Sequence, residues 1–468
     1  MSSPLIGVTV LPEYLQSETG ERVLDHLIER AGVNAVATSP YVMEPVEEGQ
    51  GGREPPIDAG AGSVRLLDRP LWGKRELWVR TAPSFAPNRE LYRGLRYQPA
   101  EPNELTRRDG AQVAEFLDAA KQRGLKTYFQ IQSAIPPGYR VQFGGPQEDD
   151  IPRLPDGSLP TRRVANNGSL ASPHIREYQT ALLTDLLQHY PQIQGLRVDW
   201  PEYPPYLLDS AFVDFSEHAR QAADRLGFDF ETMRQDAAAL YQKLHGGLTD
   251  QDLQSWLDLG DRGLLESHLA AYPGVLQMLR LKAKLSQELL QGFRRTLDEV
   301  GGEHIDLAPS SFPSPWSLVS GMDLQGAADC CQEVSVKLYG MHWAMMLHFY
   351  GRQLLEANPR ISESLLTRAL VRLLDIDDEG FSQLDSYRYP EPDQPHPIGA
   401  AAQRRKIEQA RSRGGPMAVH VLAHGYGPLE DFRRRIRLAA EISPDGFWVN
   451  RYGYLSDDKL DAIGEAAK

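Results

Sequence analysis

Residues 195–206 read Gly-Leu-Arg-Val-Asp-Trp-Pro-Glu-Tyr-Pro-Pro-Tyr, and within them stand two carboxylates, a guanidinium and three aromatic rings. The stretch begins as an apolar strand in which Arg197 and Asp199 share a face, because strand side chains alternate. It breaks at Pro201, which cannot extend a central ladder. Asp199 and Glu202 could serve as nucleophile or base and as general acid, with Arg197 holding Asp199 ionised. Trp200, Tyr203 and Tyr206 have the flat faces on which a sugar ring stacks. The plainer reading of the same residues is an ion pair sealed inside a barrel and aromatics that pack a loop.

These groups need a scaffold, and the chain supplies a recurrent one. Strands followed by amphipathic helices run the whole length, the pattern of a parallel sheet with crossover helices. Eight strands are expected at 5–11, 33–38, 125–132, 193–199, 304–308, 333–339, 416–422 and 446–450. Helices are expected between them, at 20–31, 110–123, 173–190, 343–358, 361–375, 400–412, 429–442 and 456–467. Eight strands in strict alternation favour closure into a (β/α)8 TIM barrel over an open sheet. Two segments exceed ordinary connections. Residues 41–104, rich in Gly, Pro and Arg, form a long loop after the second strand and could fold as a lid over the barrel mouth or serve as an oligomer contact. Residues 207–300 carry only helical patterning and read as an insertion after strand 4, its last helix doubling as a barrel helix. One domain, residues 1–468, is expected.

Active sites of such barrels lie at the carboxyl ends of the strands. The residues there are Glu13 and Tyr14 from the first strand, Gln130 and Gln132 from the third, and Arg197, Asp199, Trp200, Glu202 and Tyr203 from the fourth. Lys337, Tyr339 and His342 follow the sixth, His424 and Tyr426 the seventh, and Asn450, Arg451 and Tyr452 the eighth. Planar hydrogen-bonding ends mixed with aromatics suit a polyhydroxylated ligand. For the two histidines, a place behind the ligand contacts is an equally good reading.

Composition narrows the partners. The chain has 468 residues, 41% hydrophobic and 24% charged, with 50 basic against 64 acidic residues and a net charge of −14. That balance disfavours nucleic acid. Cys330 and Cys331 are adjacent, so they supply neither a disulfide framework nor metal-ligand spacing. The N-terminus shows no signal-peptide pattern and no apolar run is long enough to span a membrane, which makes the cytoplasm the expected location. The Asn167-Gly168-Ser169 sequon then carries no meaning. No cofactor is expected and no metal, since neither HExxH nor paired-Cys spacing occurs.

Gly-Leu-Arg-Val-Asp at 195–199 resembles the fourth-strand motif of α-amylase-type glycosidases. That resemblance implies Asp199 as nucleophile and Arg197 as the cation that keeps it ionised. Ala171-Ser-Pro-His-Ile-Arg-Glu-Tyr178, Phe212-Val-Asp-Phe-Ser-Glu-His-Ala-Arg220 and Leu226-Gly-Phe-Asp-Phe230 are similar to a broader set of glycoside-hydrolase-like barrels of bacterial type. In those relatives a Cys-rich form of the 212–220 segment is common, and this chain lacks the cysteines. It also departs at the fifth strand, where Ala308-Pro309-Ser310-Ser311 carries no glutamate, and at the seventh, where His424-Gly425 replaces His-Asp. No glutamate ends the seventh strand to serve as an alternative nucleophile.

The resemblance implies a carbohydrate-active enzyme, first a glycoside hydrolase using Asp199 and Glu202, with Glu13 as a third candidate carboxylate. A sugar isomerase, epimerase or lyase in which Lys337, Tyr339 or His342 moves a proton is the alternative, with a divalent ion on Glu13, Asp199, Glu202 and a histidine as its metal-dependent form. A barrel that binds saccharide without turning it over is a third. Retaining hydrolysis requires two carboxyls about 5 Å apart and inverting hydrolysis about 6.5–9.5 Å.

Overall fold

The structure, a computed structural model, describes residues 3–57, 65–259, 263, 266–267, 270–376 and 380–468. The strands are β1 (Leu5–Thr9), β2 (Ala35–Thr38), β3 (Tyr41–Val46), β4 (Gly52–Glu54), β5 (Leu77–Pro83), β6 (Lys126–Gln132), β7 (Gly195–Asp199), β8 (Asp306–Ser311), β9 (Glu333–Lys337), β10 (Ala418–His424) and β11 (Gly446–Asn450). Eight of them close into a parallel barrel in the order β1-β11-β10-β9-β8-β7-β6-β2. All eight expected strands are present. The fifth runs to Ser311, past its expected end, because Pro309 sits where pairing passes from β7 to β9: Val198 aligns with Pro309, and Ser310 with Ser335. A residue without an N–H costs nothing at such a handover.

Register levels the strand ends. Gln132 stands beside Asp199, Thr9 beside Asn450, and His424 beside Asn450. Below them the barrel is filled by side chains, as a closed eight-stranded sheet requires. Gly7 and Gly195 make that filling possible. A Cβ on Gly7 would lie 2.3 Å from the Trp448 ring, and one on Gly195 would lie 2.0 Å from the Tyr128 ring. The two rings meet edge to face at 5.0 Å in the space so created.

The segment after β2 is a three-stranded antiparallel sheet, β3-β5-β4, rather than an irregular loop. The insertion after β7 is helical as expected, with helices at Glu217–Leu226, Phe230–Leu244, Asp250–Asp258 and Pro273–Glu299. Ser216, Asp229 and Thr249 cap the first three, each accepting from a backbone N–H of the first turn. The last helix lies against Pro173–His189 through the Arg176–Glu288 ion pair at 3.0 Å and a Thr296–Thr180 hydroxyl contact at 3.4 Å. It therefore also packs as a barrel helix. No helix among the described residues is long and apolar enough to cross a membrane.

Candidate active site at the carboxyl ends of the strands

A cavity of about 260 Å³ opens at the carboxyl ends of the strands. Of the residues expected to form a site, Gln130, Gln132, Asp199, Trp200, Lys337, Tyr339, His342, His424, Asn450 and Arg451 wall it, and so does Tyr206. Glu13, Tyr14, Arg197, Glu202 and Tyr203 do not.

Asp199 is the one carboxylate on the wall among the described residues. Its partner is Lys337 from β9, whose Nζ lies 2.7 Å from Oδ1 in a close ion pair off the angle of an aligned hydrogen bond. The Lys337 ammonium also sits 4.8 Å from the Phe312 ring centroid and 5.5 Å from that of Trp200. The chain turns sharply here. Trp200 takes a left-handed backbone conformation, φ 52°, a position costly for a bulky residue. Ser133 secures the turn: its N–H and hydroxyl both donate to the Asp199 carbonyl at 3.0 Å, and the hydroxyl also reaches the carbonyl of Trp200. The result places the Trp200 indole on the cavity wall beside Asp199.

The expectation that Asp199 and Glu202 open together onto the cavity is corrected. Glu202 is fully buried three residues on, where its Oε1 accepts from the N–H of Phe312 at 2.9 Å and its Oε2 from the hydroxyl of Ser320. Pro201 turns the chain outward, and its carbonyl is held by Ser286 of the long insertion helix at 2.6 Å. The Glu202 carboxyl is thereby directed behind the β8 loop. Burial pushes it up to about 7, against the lowering influence of Lys337 and its two donors.

Arg197 is also corrected. It points into the barrel, but its guanidinium stacks 4.0 Å over Trp448 and donates from Nη1 to Thr9 Oγ1 at 3.0 Å. Burial lowers it to about 10, and Asp199 acts on it only as one of several surrounding charges. The cation in contact with Asp199 is therefore Lys337, two strands away. Tyr203 is sealed between the Leu170 N–H and Asp214, each at 3.2 Å, and Tyr14 donates to the Arg69 carbonyl at 2.9 Å. Tyr426 donates to the Pro390 carbonyl at 2.9 Å and Tyr452 to Glu18 at 3.0 Å.

Glu13 lies beneath the cavity in an ionic cluster that the sequence did not foretell. Arg140, from the loop after β6, donates to Glu13 at 2.8 Å, to the Tyr41 hydroxyl at 2.6 Å and to Glu54 of β4. Burial raises Glu13, while Arg140 works the other way. This cluster ties the β3-β5-β4 sheet to the barrel, and the sheet region supplies Tyr41, Pro56, Ile57 and Arg65 to the wall. Residues 58–64, within the stretch expected to act as a lid, lie outside the described residues.

On the opposite side, His424 accepts from the Tyr426 N–H through Nδ1 at 3.0 Å, which leaves Nε2 to carry the proton. Burial, helped by Arg65, His342 and Arg451, holds His424 well below the usual histidine range, so the ring is neutral. Asn450 donates to the Tyr339 hydroxyl at 2.9 Å. Several buried polar atoms at the cavity have no protein hydrogen-bond partner: Gln132 Oε1, Trp200 Nε1, Asn450 Oδ1 and Arg451 Nη1. Groups of this kind normally find a partner, and here they can serve a polar ligand.

No family model matches the chain, and no curated protein matches it. Its fold is that of solved glycosidase barrels. The β-galactosidase of the psychrophilic Marinomonas ef1 superposes with a TM-score of 0.51 at 12% identity, covering 99% of this chain and 59% of that one. The catalytic domain of the β-amylase of Paenibacillus polymyxa superposes with a TM-score of 0.50 at 11% identity, covering 99% and 98%. This chain thus spans about 59% of the length of the first of these enzymes. The likeness is one of architecture, a TIM barrel.

Proposed function

We propose that the protein is a carbohydrate-active enzyme of glycoside-hydrolase type, with Asp199 as the reacting carboxylate and the strand-end cavity as the sugar site. The observation that carries this reading is the setting of Asp199: a single carboxylate on the wall among the described residues, beside Trp200 and Tyr206 for stacking and Gln130, Gln132 and Asn450 for hydroxyl groups. The architecture shared with a β-galactosidase and a β-amylase agrees with it. Such folds host many chemistries, so the side chains and not the barrel bear the argument.

Lys337 lies 2.7 Å from Asp199 and orients the carboxylate towards the cavity, where it can act as nucleophile or base. Cleavage also needs a proton for the leaving oxygen. Glu202 is off the wall, so that proton falls to a group that faces the cavity, and the Lys337 ammonium and the Tyr339 hydroxyl each carry one. The same arrangement favours a second reading. A wall with one carboxylate and an adjacent lysine also suits proton transfer on a sugar, as in an isomerase, epimerase or lyase, and a barrel that only binds saccharide needs no second acid. Asp199→Asn tests the proposal: across a panel of aryl glycosides and oligosaccharides, turnover should vanish while sugar binding and the melting temperature persist. Retained turnover removes Asp199 from its role. Binding of an oligosaccharide that stays uncleaved by the unaltered protein replaces the enzyme reading with the binding one.

A further inference from the structure

We propose that Lys337 is a nucleophile toward sugars in their open-chain aldehyde or ketone form, condensing with the carbonyl carbon to give an iminium bound covalently to the cavity wall. This inference rests on the reading above that a sugar enters the cavity. It goes beyond that reading, because it does not require cleavage of a glycosidic bond. Four lysines are buried among the described residues, Lys282, Lys337, Lys406 and Lys459. Three of them are tied down by the protein. Lys282 donates to the Ala211 carbonyl at 3.1 Å, and Lys406 to the carbonyls of Ser314 and Leu374 at 2.7 and 2.8 Å. Lys459 donates to Asp68 at 2.7 Å and to the carbonyls of Gly425 and Tyr454 at 2.8 and 3.1 Å. None of the three is on the cavity wall.

Lys337 differs on both counts. It is the one lysine on the wall among the described residues, and its Nζ has no aligned acceptor there. An ammonium has three protons to place, and Asp199 Oδ1, 2.7 Å away, lies off the angle that would lock one of them. The backbone of Lys337 is nonetheless fixed, since the Trp343 indole donates to its carbonyl at 3.2 Å and the next N–H, that of Leu338, donates to the Leu422 carbonyl at 3.0 Å. The amine is thus presented at a set place and not tethered. The Phe312 and Trp200 rings flank it at 4.8 and 5.5 Å, an apolar setting of the kind in which a lysine attacks carbonyl carbon.

Condensation needs neither an oxidant nor a reductant. The Asp199 carboxylate takes a proton from the ammonium, and the freed nitrogen pair bonds to the carbonyl carbon as the C=O π pair moves onto oxygen. Asp199 then returns the proton to that oxygen, which becomes a hydroxyl. It takes a second proton from the same nitrogen and delivers it to the hydroxyl, which leaves as water while the nitrogen pair closes the C=N bond. One ammonium and one carbonyl become one iminium and one water. Tyr339 stands on the same wall, and its hydroxyl accepts from Asn450 at 2.9 Å, which keeps its own proton available to the carbonyl oxygen. The iminium draws electrons from the carbon beside it and so loosens a C–H or C–C bond there, the step that isomerase, epimerase and lyase chemistry share.

Reductive trapping of the full chain tests this: incubation with D-glyceraldehyde, D-erythrose or dihydroxyacetone and sodium cyanoborohydride, followed by peptide mapping by mass spectrometry. Lys337 should be the first lysine to carry the reduced adduct, ahead of every exposed lysine. Asp199→Asn should slow that labelling by about 10²-fold and leave the exposed lysines as they were, and Lys337→Arg should abolish the first adduct. The map of the unaltered protein decides even if neither variant folds. Lys337 left unlabelled, or labelled no faster than the exposed lysines, overturns the inference, as does labelling that is untouched in a folded Asp199→Asn protein. Aryl glycosides have no free carbonyl, so their turnover reads the hydrolase proposal separately. Turnover without trapping leaves that proposal standing and removes this one, trapping without turnover does the reverse, and the failure of both removes both.

Discussion

Asp199 and Glu202 are three residues apart and occupy opposite kinds of environment. Asp199 ends a strand, faces the cavity and is met by an ammonium. Glu202 follows a proline, turns behind the β8 loop and is met by one amide and one hydroxyl. The first setting pairs the carboxylate with a cation and the second tolerates a proton, as the rise of Glu202 to about 7 expresses. Chemical type alone therefore does not decide which of two neighbouring acids can act; the direction in which the backbone leaves the strand does.

The largest expected contrast is in turnover. Asp199→Asn should abolish it, a loss of at least the about 10²–10⁴-fold that a positioned acid or base usually contributes, with little change in the melting temperature.

Stability should show the reverse contrast. Glu202→Ala strands the Phe312 N–H and leaves a void, costing about 2–4 kcal/mol by chemical denaturation. Glu202→Gln should be mild, because its carbonyl can still accept from Phe312 and its amide can donate to Ser320, whose hydroxyl then turns to the Ser317 carbonyl. The pH dependence sharpens the point. An acid whose folded pKa lies above its unfolded value binds its proton more tightly when folded. Its burden on stability is thus absent below about 4.5, grows as pH rises and is complete above about 7. Stability measured from pH 5 to 8 should decline more steeply in the unaltered protein than in Glu202→Gln; equal slopes would mean that Glu202 is ionised throughout.

The smallest effect concerns the turn that separates the two acids. Trp200→Ala removes a stacking face and should weaken sugar binding roughly threefold to tenfold, with no shift in the Glu202-dependent pH profile. A change in that profile would show that the two environments are not independent.

The barrel was legible because a period of two followed by a period of 3.6 recurs eight times, and this signal is local. Most of the wall was legible too, since closure forces strand-end residues such as Gln132, Lys337 and Asn450 to converge. What escaped sequence reading depends on partners far away in the chain. Arg140 stands in a long polar loop, and only the fold brings it within 2.8 Å of Glu13. The replacement of Arg197 by Lys337 as the cation on Asp199 has the same origin, for spacing along one strand says nothing of a neighbour two strands away. Trp448 could not be foreseen as the face that holds Arg197, because its place in the barrel depends on the absence of a side chain at Gly7. The seal over Glu202 comes from Phe312 and Ser320, more than a hundred residues later.

Turnover of Glu202→Gln measured beside Asp199→Asn, on one substrate at one pH, tests the central claim most directly. The account predicts a folded Glu202→Gln protein that works within a few-fold of its parent while Asp199→Asn is inert. A folded Glu202→Gln protein as inactive as Asp199→Asn would contradict it.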